Sequence, residues 1–130
     1  MNRADEFGCE ACWPASAQDA QATRAALAVE AELVGEPHFR VTVRACRACA
    51  QRFVSVFTEM IDWSGGDDSQ YWTLMPVTQA EASGLAGSGA LTETLLNSLG
   101  RGRRSLFHDH PTGKPPRTGW GTGLQVGPHD

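Results

Sequence analysis

The chain has four cysteines, arranged as two pairs, Cys9-Glu10-Ala11-Cys12 and Cys46-Arg47-Ala48-Cys49. A C-x-x-C pair holds two sulfurs about one tight turn apart, and two such pairs supply the four thiolates that a tetrahedral zinc ion binds at about 2.3 Å. The first expectation is a zinc site formed by Cys9, Cys12, Cys46 and Cys49. Four thiolates fill the coordination sphere, whereas a catalytic zinc usually keeps three protein ligands and one position for water. The expected role is therefore structural. Iron accepts the same donors, and a C-x-x-C pair also serves as a redox dithiol, so both stand behind zinc as alternatives.

Other residues with chemical potential lie around these pairs. Arg40, Arg44, Arg47 and Arg52 flank the second pair with no acid among them. They suit either of two tasks: offsetting the excess negative charge of four thiolates on one zinc ion and donating hydrogen bonds to sulfur, which is the favoured reading, or gripping phosphates. Arg101, Arg103 and Arg104 follow a predicted helix and complement its dipole. Glu59, Asp62, Asp67 and Asp68 lack the ordered spacing of a calcium loop and read as a solvated turn. His108-Asp109-His110 has no positioned third partner in the sequence, and no serine or cysteine nucleophile stands in a recognisable frame. The aromatics Phe57, Trp63, Tyr71 and Trp72 read first as the core of a small sheet. Partly exposed, they would form a stacking surface beside Arg40 and Arg44, or an anchor for a protein partner.

These residues need elements to position them. Ser16 with Asp19 makes a helix start, and an Ala-, Gln- and Glu-rich stretch carries Ala22, Ala26, Val29 and Leu33 on one stripe. The spacing predicts a helix from Ala17 to Val34, stopped by Gly35 and Pro37. From Phe39 to Ala45, Val41, Val43 and Ala45 alternate with Arg40, Thr42 and Arg44, the pattern of a half-buried strand running into the second cysteine pair. Residues 51–63 fit both periods; a hairpin of Phe53 to Ile61 with Tyr71 to Val77 is preferred over a helix because Phe-Val-Ser-Val-Phe-Thr favours strands. Thr78-Gln79-Ala80-Glu81 is a capping box, opening one short helix, and a second spans about Leu91 to Leu99 before Gly100. Residues 108–130 are dense in Gly and Pro and read as an irregular tail, draped over the domain with Trp120 as an anchor or mobile.

The two pairs, separated by a long insert, resemble the zinc-ribbon class of four-cysteine proteins, with the treble-clef class as the alternative if residues 51–63 were helical. More loosely, the run from Cys46 through Phe57-Thr58-Glu59, Asp62-Trp63 and Gly66-Asp67-Asp68 to Pro76-Val77-Thr78 is similar to small bacterial zinc-ribbon proteins of no assigned activity. The resemblance implies a site and no activity. Many knuckles of this class carry glycine just after the second cysteine; here Trp13 and Ala50 take those places.

The expected fold is α+β: a four-cysteine zinc ribbon with a three-stranded antiparallel sheet, an insert helix between the cysteine pairs and short C-terminal helices. It occupies residues 1–107, followed by the tail 108–130. At 130 residues one core is expected. A net charge of -4 gives no overall field toward nucleic acid or an anionic membrane, so a protein partner is the leading expectation and nucleic acid the less favoured one. Met1 to Gly8 carries acids and no apolar run, and no window is apolar enough for a membrane span. A cytoplasmic location is expected, and there paired cysteines serve as metal ligands or redox groups more often than as disulfides.

Overall fold

A six-stranded antiparallel meander forms the body of the chain in a computed structural model that describes residues 7–89 and 91–130. The N-terminal reading above rests on Met1 to Gly8 and, apart from its last two residues, lies outside the described residues. The order is α1 (Ala17–Arg24), β1 (Ala28–Glu36), β2 (Phe39–Ala45), β3 (Arg52–Met60), β4 (Ser69–Val77), α2 (Gln79–Ala86), α3 (Glu93–Ser98), β5 (Arg104–His110) and β6 (Arg117–Thr122). Each strand pairs with its neighbour in sequence.

The α+β class holds, but the expected three-stranded zinc ribbon does not: the sheet has six strands. One added strand comes from the predicted insert helix. That helix ends at Arg24, where the amides of Ala26 and Leu27 turn back to the carbonyls of Thr23 and Arg24 and Leu27 drops into the core. Residues 28–36 instead pair with β2, from Ala28 opposite Ala45 to Glu36 opposite Phe39. Alanine and glutamate favour helix only weakly, by tenths of a kcal/mol per residue, and a complete ladder with a buried neighbouring strand outweighs that preference. Two register shifts, between Val29 and Ala31 and between Glu32 and Val34, bend this acidic edge strand, features that discourage edge pairing with other chains.

The other two strands come from the C-terminal third. β5 pairs with β4, and β6 with β5, so the segment expected as an irregular tail contributes to the sheet. Its glycines have a packing reason: Gly119 lies opposite Phe107, and a Cβ there would stand 3.0 Å from the Phe107 ring. Beyond β6 the chain crosses one face of the sheet, burying Leu124 and tying its end to β3 through Asp130 N–H to the Glu59 carbonyl at 3.1 Å.

The hairpin expectation matches the structure. β3 and β4 pair continuously from Arg52 opposite Val77 to Met60 opposite Ser69. The Thr78 capping box is also present in both directions. Strand alternation then divides the core. Val41, Val43, Val54, Val56, Met75 and Val77 pack on one face beneath α2, α3 and Leu124. Phe53, Leu74 and Leu106 pack on the other beneath α1 and the first cysteine pair. The part of this second face nearest β1 and β2 carries Arg40, Thr42 and Arg44. No helix among the described residues is long and apolar enough to cross a membrane.

Candidate metal centre

The segment leading into α1 and the β2–β3 turn meet at one end of the sheet, and their four sulfurs meet with them. Cys9, Cys12, Cys46 and Cys49 place their Sγ atoms within 4.8 Å of one another. The Cys9–Cys12, Cys9–Cys46 and Cys12–Cys49 separations are each 3.8 Å. A regular tetrahedron with metal–sulfur bonds of about 2.3 Å has sulfur–sulfur edges of about 3.8 Å. A disulfide would need about 2.05 Å. All four cysteines are free thiols, and their spacing and chemistry fit one tetrahedral thiolate-bound metal ion.

Each pair is shaped by its own turn. In the first, the amides of Cys12 and Trp13 both point to the Cys9 carbonyl, at 3.2 and 2.7 Å, and the Cys9 amide donates to the Cys12 sulfur at 3.3 Å. Gly8 enters this turn at φ 72°, and a Cβ there would lie 2.8 Å from Trp13 Cβ and 2.9 Å from Cys12 Sγ. In the second, the Ala50 amide closes on the Cys46 carbonyl at 3.0 Å and the Ala48 amide donates to the Cys46 sulfur at 3.3 Å. Ala50 adopts φ 67°. This is the left-handed position that glycine often fills in such knuckles, and alanine fills it here at a steric cost.

Trp13 follows a different logic. It packs against Phe53 at 5.4 Å and edge-on against Trp120 at 5.0 Å, with Arg104 stacked between the edge of this cluster and Trp120. Trp120 in turn donates from Nε1 to the Ala15 carbonyl at 3.1 Å. The first pair is thereby docked on the sheet, leaving Cys12 only 2% exposed, while Cys49 on the outer turn is exposed.

Electrostatics distinguish the sulfurs. Burial pushes the Cys12 thiol strongly upward. At Cys46 burial also acts upward, but the amides of Cys49 and Ala48 and hydrogen bonds from Cys12 and Cys49 bring the thiol down to about 7. Cys49 is raised, chiefly by desolvation. Thiolates held this close repel one another, and a cation at their centre removes the penalty.

The arginines predicted around the second pair separate. Among the described residues the N–H donors to cysteine sulfur are backbone amides, and none of Arg40, Arg44, Arg47 or Arg52 donates there. Arg47 is exposed and reaches the Ala26 carbonyl at 3.4 Å. Arg52 pairs with Glu30 at 2.9 Å. Arg40 and Arg44 line a cleft on the open face, where Arg24 of α1 joins them. Of the later group, Arg103 is held by Glu81 and the Pro76 carbonyl, Arg104 by the tryptophans, and Arg101 lies in a shallow cleft beside Asn97.

The remaining candidates are occupied by local structure. Asp62 accepts from the amides of Ser64, Gly65 and Asp67, which lowers its pKa, and Asp68 accepts from the Asp62 amide. His108 lies 2.8 Å from the Thr118 hydroxyl and stacks beside Trp72; desolvation, with His110 and Arg24 nearby, lowers its pKa. His110 sits 3.6 Å from Asp67. Of the aromatics, Tyr71 stacks with Phe107, and Phe57 and Trp72 lie beside Arg40 and Arg44. Trp63 is 87% exposed in the β3–β4 turn.

Gln51 was not singled out by sequence. Its Oε1 accepts from the Gly8 amide at 3.0 Å, and its Nε2 donates to the carbonyls of Arg52 at 2.9 Å and Val77 at 2.8 Å. It ties the two turns of the metal centre to each other and to β4. A lone glutamine after a cysteine turn carries no pattern that reveals this.

No family model matches the chain, and neither a curated protein nor a solved structure is significantly similar to it.

Proposed function

We propose that Cys9, Cys12, Cys46 and Cys49 hold one zinc ion as a structural crosslink, and that the domain it stabilises is a non-enzymatic module that binds protein. The observation that carries this reading is the set of 3.8 Å sulfur separations, which leave a four-thiolate ion no position for substrate or water. Cys12 and Cys46 also belong to the core cluster with Trp13, Phe53 and Leu106, so the ion would join segments 37 residues apart directly to the hydrophobic interior. Such sites contribute roughly 10–16 kcal/mol of apparent binding energy, on the scale of the stability of a whole domain. Zinc suits four thiolates without redox chemistry, which favours it over iron for a structural crosslink.

The protein-binding half rests on Trp63, a large aromatic presented to solvent on a hairpin turn, the residue type that anchors interfaces most often. Metal analysis of protein purified under reducing conditions should give one zinc per chain, with the thermal transition lost or strongly lowered by a chelator. Absence of metal, with pairs that oxidise and reduce reversibly, would overturn the structural reading in favour of thiol chemistry. A partner captured by the native protein should be lost with Trp63→Ser; capture of nothing above background would remove the interaction reading.

A further inference from the structure

Three guanidinium groups converge on the open part of the sheet, and only two come from neighbouring positions in sequence. Arg40 and Arg44 rise from β2 on the same side as Thr42, while Arg24 reaches across from the last turn of α1. With Ser55, Phe57 and Trp72 they line a cleft of about 390 Å³. That volume lies within the usual range for small-molecule sites, about 300–1,000 Å³.

Two local roles account for Arg24 in part. It complements the C-terminal end of α1, and its guanidinium stacks over Trp72 at 4.2 Å. Its Nη2 donates to the buried Ser55 hydroxyl at 2.9 Å, whereas its Nε is buried with no hydrogen-bond partner. Neither role explains why Arg40 and Arg44 share a cleft with it. Desolvation is the main cause that lowers Arg24 to about 10. Arg44 spends its Nε on Thr42 Oγ1 at 3.2 Å. Among the described residues no carboxylate forms an ion pair with Arg24, Arg40 or Arg44. Glu32 stands in the lining, so the cleft carries a net charge of +2 in a chain of net charge -4. Three like charges gathered in one cleft, against a single carboxylate in its lining, favour an anionic ligand there.

The kind of charge follows from the donors. Guanidinium groups match the oxygens of a phosphate, and a phosphate monoester carries about -1.5 to -2 at neutral pH, close to the excess in the lining. Phe57 and Trp72, opposite each other across β3 and β4, add aromatic surface beside the cations. A long polyanion fits less well. Arg47 and Arg52 are directed elsewhere, and Glu32 of β1 stands in the cleft itself. We infer that the cleft of Arg24, Arg40 and Arg44 binds the phosphate monoester of a small ligand bearing a planar ring, of the nucleoside monophosphate class.

The inference goes beyond the structural metal site and does not depend on the identity of the ion. Its test is calorimetric or NMR titration of the full, metal-loaded chain at low salt with adenosine monophosphate, guanosine monophosphate, inorganic phosphate and adenosine. At least one of the two monophosphates should bind with a Kd below about 1 mM, more tightly than phosphate or adenosine alone. Arg44→Gln and Arg40→Gln, which keep the side-chain stem and remove the charge, should each weaken it about tenfold while melting and metal content stay at wild-type values. Arg117→Gln, on β6 outside the cleft, should leave it unchanged. No binding of either monophosphate in this range, or equal binding by the two cleft variants, overturns the assignment. So does tighter binding of a single-stranded oligonucleotide with a steep salt dependence, which would make the cleft part of a nucleic-acid track.

Discussion

The amide of Gly8 donates to the side chain of Gln51 at 3.0 Å, across 43 residues of sequence, one position before the first cysteine pair and two after the second. Both halves of the metal centre are thus joined by a neutral hydrogen bond as well as by their sulfurs. The same side chain donates to the Arg52 and Val77 carbonyls, so its removal deletes three hydrogen bonds to backbone in a partly buried site. Gln51→Ala is expected to cost about 2 kcal/mol, from the penalty of unsatisfied polar groups. Gln51→Glu should cost more, because a carboxylate meets two carbonyl oxygens where the amide donated. Urea unfolding with metal bound checks both, and a chelator competition should show weaker metal retention in each.

Ala50 gives a prediction of opposite sign. Its φ of 67° puts its Cβ in the crowded left-handed region, where an L-residue costs about 1–2 kcal/mol. Glycine removes that cost but adds freedom to the unfolded chain, worth about 0.4–1 kcal/mol. Ala50→Gly should therefore stabilise the metal-bound protein by about 0.5–1 kcal/mol. The comparison variant is Gly8→Ala, which meets both the positive φ and the close approach of Trp13 and Cys12, and should destabilise. Thermal melts of the two proteins, read against wild type, test the pair.

Sequence made the ligand set and the central hairpin legible because both are local patterns: C-x-x-C spacing, and an uninterrupted run of residues suited to strands. The β2 alternation of Val41 and Val43 with Thr42 and Arg44 was equally readable. The edge strand was not, although Val29-Glu30-Ala31-Glu32-Leu33 alternates too. Its Ala and Glu content speaks for helix, and what decides its state is the ladder with β2, which spacing alone does not reveal. Likewise the glycines of β6 read as tail until Phe107 is seen lying against Gly119. The convergence of Arg24 with Arg40 and Arg44 was hidden for the same reason, since a helix running on to Val34 would carry Arg24 in its interior rather than at the end over the sheet.

Glu81 should make the fold sensitive to acid in a defined direction. It closes the capping box on the Thr78 amide at 2.9 Å and receives both guanidinium nitrogens of Arg103, at 2.7 and 3.2 Å. The hydrogen bond from Arg103 is the main cause that holds its carboxyl below the usual value of 4.5, against the opposing effect of desolvation. A depressed folded-state pKa means that the unfolded chain binds the proton first, so this contribution is present above about pH 4.5 and lost as pH falls through the folded value. Glu81→Gln should lose about 1 kcal/mol at neutral pH and show a flatter decline below about pH 4.5. Taking the difference between the two proteins at each pH cancels the acid loss of metal that both share.

Removal of the metal should be visible at Trp13, the residue that couples the first cysteine pair to the sheet. Trp13 is buried, adjoining Cys12 in sequence and Phe53 and Trp120 in space, whereas Trp63 is already in water and should respond little. Without an ion the four sulfurs have no common anchor, and the turn that carries Trp13 is held by its own hydrogen bonds, by Gln51 and by the aromatic contacts. Chelation is therefore expected to shift tryptophan emission to the red and to lower the melting transition together, with most of the shift absent in Trp13→Phe. Trp13→Ala should cost about 3–5 kcal/mol, as large buried aromatics do, and should weaken metal retention, because the turn loses its dock on the sheet. Emission unchanged by chelation, with the ion demonstrably gone, would mean that the aromatic cluster positions the cysteines independently of the metal, and the crosslink would then be secondary to Phe53 and Trp120 in holding the first turn.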